Sequence, residues 1–152
     1  MLRKSFYLIA ASLVLCGVAS GETLGGPLEY DLTLAAIEGD VAQVNALLAK
    51  GADVNAKDGN GTTVLMEVSR EGRTEVAKIL LEKGAQVNLQ NKRGMTALME
   101  GAEKGHLEIV KLLLDKQADP NLKTQANATA LTLATMAGKT PVTELLKSRG
   151  AK

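Results

Sequence analysis

The sequence predicts an all-α repeat solenoid, and three observations carry that expectation. The string Gly51-Ala52-Asp53-Val54-Asn55 returns as Gly84-Ala85-Gln86-Val87-Asn88, as Gln117-Ala118-Asp119-Pro120-Asn121 and as Gly150-Ala151, a period of 33 residues. A period of this length marks stacked supersecondary units, none of which can bury its apolar face alone. Two further series keep the same register: Thr63-x-Leu65, Thr96-x-Leu98 and Thr129-x-Leu131, and the glycines Gly39, Gly72, Gly105 and Gly138. Within a unit, apolar residues recur at helical spacing, as at Leu107, Ile109, Val110, Leu112, Leu113 and Leu114.

The chain divides in order as follows. Residues 1–20 read as a secretory signal peptide: Arg3 and Lys4 precede an apolar run from Phe6 to Leu15, and small residues follow. That run is about ten residues, against roughly 20 for a membrane-spanning helix. Cleavage is expected after Ser20 or Gly21. The chain carries a formal net charge of +1, and removal of Arg3 and Lys4 with the leader leaves about −1. Such balance argues against a nucleic-acid partner, which would call for a clustered basic face. The single cysteine, Cys16, lies at the end of the apolar run, where a lipid-attachment box would have it, although Leu15 stands where that box needs a small residue.

Residues 21–27 form a linker broken by Gly25-Gly26-Pro27. Four units then follow at 28–57, 58–90, 91–123 and 124–152. In the first, Gln43 takes the position that Val76, Ile109 and Val142 hold later, so this unit is polar where others pack backward. In the second and third, Thr63 and Thr96 are placed to cap the first helix, which in the third unit is expected from Ala97 to about Lys104, with Gly105 as the turn. The fourth has Thr129 as the cap, and Lys147 where Leu48, Leu81 and Leu114 stand. Polar outer faces on the first and last units are what capping repeats require, so the sequence reads as a complete stack.

These residues resemble the ankyrin repeat. The run Thr96-Ala97-Leu98-Met99-Glu100-Gly101-Ala102-Glu103-Lys104-Gly105-His106 is similar to that family's T-P-L-H-x-A-A-x-x-G-H, and Leu107 to Asp119 is similar to its L-E-V-V-x-L-L-L-x-x-G-A-D. The resemblance implies helix pairs stacked with β-turn loops projecting to one side. It also implies that a protein partner meets the turn tips and the exposed side of the first helices, a concave face. Carried over by position, that face comprises Asn60, Glu67, Arg70, Glu71, Lys92, Arg93, Met95, Glu100, Glu103, Lys104, Gln125 and Met136, with Arg70, Arg93, Met95 and Met136 as the main contacts. The chain departs from the pattern at Met66, Met99 and Thr132, which replace a histidine, and at Val64, Ala97 and Ala130, which replace a proline. Gln117 and Asn127 replace glycines expected in a left-handed conformation.

No catalytic or metal site is expected. Beyond residue 21 the chain has one histidine, His106, and no cysteine, too little for zinc. Ser69 lacks the glycine-flanked elbow of a hydrolase nucleophile, and His106 matches a turn position with a structural role. Asp53 to Gly59 fails the calcium-loop pattern at Lys57 and in the glycine spacing. The sequence therefore predicts a non-enzymatic, exported, monomeric binder of another protein, periplasmic or secreted, without a cofactor or transmembrane segment. The alternative is the same binder held at a membrane through Cys16; a hydrolytic enzyme is the weaker rival.

Overall fold

The computed structural model describes residues 26–152, so the leader, Cys16 and most of the linker lie outside the described residues. Eight helices follow in four pairs: α1 (Pro27–Glu38) with α2 (Val41–Ala49), α3 (Val64–Glu71) with α4 (Thr74–Glu82), α5 (Ala97–Lys104) with α6 (Leu107–Asp115), and α7 (Ala130–Met136) with α8 (Thr140–Ser148). No helix among the described residues is long and apolar enough to cross a membrane.

The first helices of the last three pairs start where the sequence places a cap. The hydroxyls of Thr63, Thr96 and Thr129 accept from the N–H groups of Met66, Met99 and Thr132, which satisfies one of the orphan donors of a helix start. Gly39, Gly72 and Gly105 end α1, α3 and α5 in the left-handed conformation, with φ of 80°, 76° and 83°. Gln117 and Asn127 both sit at φ 65°, in the conformation expected for the glycines they replace.

The first helices α1, α3, α5 and α7 form one row, and α2, α4, α6 and α8 form a second row behind it. Small residues let the first row pack closely. A Cβ built on Gly101 would lie 3.3 Å from Ile109 Cγ2 and 3.6 Å from the Ser69 carbonyl oxygen, so α5 has little room to spare toward α3. The core runs continuously between the rows, through Leu32, Val44, Leu65, Leu80, Leu98, Leu113, Ala134 and Leu146. At the ends of the register, Gln43 and Lys147 are exposed, whereas Val76, Ile109 and Val142 are buried.

Neighbouring pairs are also stitched by polar groups. Asn55 Nδ2 donates to the Gly84 carbonyl while its Oδ1 accepts from the Gln86 N–H; Asn88 does the same with Gln117 and Asp119. A second link uses the residue after the capping glycines Gly72 and Gly105. Arg73 Nε donates to the Ile37 carbonyl at 2.7 Å, and His106 Nε2 pairs with the Arg70 carbonyl at 3.0 Å. A carbonyl only accepts, so His106 carries its proton on Nε2. These bonds satisfy carbonyls near the C-terminal ends of α1 and α3 that the helices themselves leave open. His106 is thus a latch between pairs.

Candidate functional site

The loop tips 58–62, 91–95 and 124–128 share one backbone bond: the Asp58, Asn91 and Thr124 N–H groups donate to the Thr62, Met95 and Ala128 carbonyls. Side-chain acceptors tighten the turns. Asp58 Oδ1 accepts from the Asn60 and Thr62 N–H groups, and Asn91 Oδ1 from those of Arg93 and Met95. The tips also bond to one another, Lys92 N–H to the Asn60 carbonyl at 2.8 Å and Gln125 N–H to the Arg93 carbonyl at 3.0 Å. Consecutive tips are thereby locked in register beside the first helices.

On this framework Asn60, Glu71, Lys92, Arg93, Lys104 and Gln125 are exposed, and Glu67, Arg70 and Glu103 are half-buried. Met136 is 79% exposed at the end of α7, the most open large apolar side chain among the described residues. Two of the residues expected on the face are not available there. Met95 is 6% exposed and belongs to the core, its backbone N–H held by the Asn91 side chain. Glu100 is 4% exposed, covered within the closely packed first row. Gln125 is on the surface, but its amide donates to the Lys92 carbonyl, so it serves the framework first.

The charged residues neutralise one another in part. Arg70 pairs with Glu67, and its Nε lies 3.4 Å from Glu71 Oε1. Arg93 Nη2 lies 3.6 Å from Glu100 Oε1. Burial raises the pKa of Glu67; Arg70 opposes that shift, while Asp58 and Glu71 add to it. Burial likewise raises the pKa of Glu100, against the pull of Arg70 and Arg93. A small cavity beside Glu67, between α1 and the first tip, is lined in part by Glu29, Thr33, Asp58 and Thr62.

The face presents fixed hydrogen-bonding and charged groups and one apolar anchor, an arrangement suited to recognition. Among the described residues no group of three or more histidine, cysteine or carboxylate side chains is placed to hold a metal ion. Ser69, fully buried, donates its hydroxyl to the Leu65 carbonyl within α3. His106 is occupied between pairs, as described above. Sequence reasoning identified His106 as structural but missed the two latches, although a long N–H-bearing side chain after Gly72 and after Gly105 was a readable signal.

A family model for ankyrin repeats, in three copies, matches residues 32–124, more than half of the chain. No curated protein sequence matches it.

Proposed function

The chain belongs to the ankyrin-repeat family, and from that premise we propose that it is a non-enzymatic binder of another protein, built of four units and exported. Ankyrin repeats are generally protein–protein interaction modules. One observation carries the reading for this chain: the tips are hydrogen-bonded to each other, so Arg70, Arg93, Lys104 and Met136 are presented on a surface that is already ordered. A preordered surface avoids much of the entropy cost of binding. The apolar run after Arg3 and Lys4 supports export to a periplasm or to the exterior.

A photo-crosslinking amino acid placed at Lys104 or Met136 is expected to capture the same protein from the native host. Placed at Lys78 or Lys111, on the second helices, it is expected to capture nothing in common with that. Capture of one protein from the second helices alone would move the interface and overturn the reading. Mass spectrometry of the mature N-terminus tests export: a start at Gly21 or Glu22 is expected, a lipidated Cys16 would replace the free binder with an anchored one, and an intact Met1 would refute processing.

A further inference from the structure

We propose that a second copy of this chain occupies the turn-and-helix face, in a two-fold dimer; the inference rests on the binding-face reading and names one occupant of that face. Its basis is a single row. Ile37, Arg70, Glu103 and Met136, one period apart, stand near the C-terminal ends of α1, α3, α5 and α7, and they range from half-buried to the 79% exposure of Met136. Along the row the side chains are apolar, positive, negative and apolar. Such a row is complementary to itself reversed.

Two copies can meet face to face about a two-fold axis in two ways that keep their helices aligned. With the axis parallel to the helices, between α3 and α5, the row runs backward across the interface. Ile37 of each copy then meets Met136 of the other, and Arg70 meets Glu103, at two symmetry-related places. With the axis along the row, Arg70 meets Arg70 and Glu103 meets Glu103, a juxtaposition of like charges that opposes association. The charges therefore select the reversed arrangement. It also sets Lys92 and Arg93 of one loop tip against Gly59 and Asn60 of another, so no like charges meet there.

The charged groups of the row can serve it. Glu103 has no ion pair among the described residues. Arg70 is held against Glu67, yet its side chain is 41% exposed and a guanidinium has N–H donors enough for a second carboxylate. The next row, Leu34, Glu67, Glu100 and Leu133, is again apolar at both ends. Its two acids face each other across the axis, but Glu100 is buried and the Glu67 side chain is 17% exposed, so neither is presented. Four helices at a spacing of about 8–10 Å make a strip roughly 25–30 Å long, short of the area that a permanent interface buries. The dimer is accordingly weak and reversible, and a tighter-binding protein displaces the second copy from the face.

Sedimentation of the purified full chain over a range of concentrations is expected to show a monomer–dimer equilibrium. Arg70→Glu and Glu103→Arg should each weaken it at least about tenfold, because each sets like charges together at both symmetry-related contacts. Mixing the two variants decides the geometry. Arg70→Glu leaves two acids in the row and Glu103→Arg two arginines, so the mixture should form a heterodimer at least about tenfold tighter than either variant with itself. A photo-crosslinking amino acid at Met136 should attach to the second copy near Ile37. A strictly monomeric chain, a dimer indifferent to both variants, a mixture no tighter than its components, or a crosslink from Met136 to the same position of the second copy overturns the proposal. None of these outcomes touches capture of a different protein from the host, and a host capture that yields only the chain itself overturns that reading while leaving the dimer standing. Circular dichroism checks that the variants fold; were Arg70→Glu to unfold, weakening by Glu103→Arg and the Met136 crosslink decide.

Discussion

The loop tips 91–95 and 124–128 make the same backbone bond, yet one carries Gly94 at φ 77° and the other Asn127 at φ 65°. The difference lies in what stacks on them. A Cβ on Gly94 would come within 2.8 Å of Thr124 Cα and 3.0 Å of Gln125 N, backbone atoms of the next tip that cannot step aside. No further tip stacks on Asn127 among the described residues, so it has only the backbone conformation to satisfy, which asparagine tolerates better than most residues. In a stack, then, the side chain allowed at a turn is set as much by the neighbouring turn as by its own φ.

The strongest way to break that comparison is to give both tips the same residue. Gly94→Ala meets both penalties and is expected to lower stability by about 3 kcal/mol, from the left-handed conformation and the clash together. Asn127→Ala meets only the first, about 1 kcal/mol. Equal losses in urea melts would show that φ alone governs both tips.

Next in size, Thr63→Ala and Thr96→Ala should each cost about 1 kcal/mol, since each removes one N-cap bond. This pair sharpens the contrast, because caps act within their own helix and should be insensitive to position in the stack. A difference of more than about 1 kcal/mol between the two in urea melts would show that stacking reaches the caps as well.

Gln117→Gly is expected to raise stability by about 1 kcal/mol, or about 2–4 °C in Tm. Built Cβ atoms at the equivalent Gly51 and Gly84 meet nothing within 4 Å, so here, as at Asn127, the backbone conformation is the only constraint. A fall in Tm on this substitution would mean that the Gln117 side chain makes a contribution that outweighs its strain.

The smallest expected effect is pH dependence. A carboxylate whose pKa is raised in the fold binds protons more readily there than in the unfolded chain, so its burial penalty is present at neutral pH. The penalty is relieved as pH falls through the raised value toward the ordinary carboxylate range. Wild type should therefore lose less stability between pH 7 and pH 5 than Glu100→Gln does, while Glu100→Gln should be the more stable of the two at pH 7. Parallel Tm profiles would remove Glu100 from this account.

Local structure was legible in the sequence wherever one period could be compared with the next. The threonine caps, the glycine turns and the left-handed Gln117 and Asn127 all follow from register, because each depends on a few adjacent residues. Burial on the binding face was not. Met95 stands where Thr62 and Ala128 stand in the neighbouring tips, and nothing in the spacing says that the larger apolar side chain there joins the core. Glu100 matches Glu67 in register, but α5 has close-packed neighbours on both sides while α3 meets α1 more loosely, so Glu100 is covered more completely. Such facts belong to three-dimensional neighbours 33 residues away, which a pattern of residue types does not weigh.

The latches from Arg73 and His106 run backward along the chain, each closing a carbonyl 36 residues earlier. During synthesis the earlier residue leaves the ribosome first. A newly emerged helix pair therefore waits, with an open end, until the turn between the two helices of the following pair has been translated. On the ribosome, closure of the first two pairs therefore trails elongation, each waiting on residues made later.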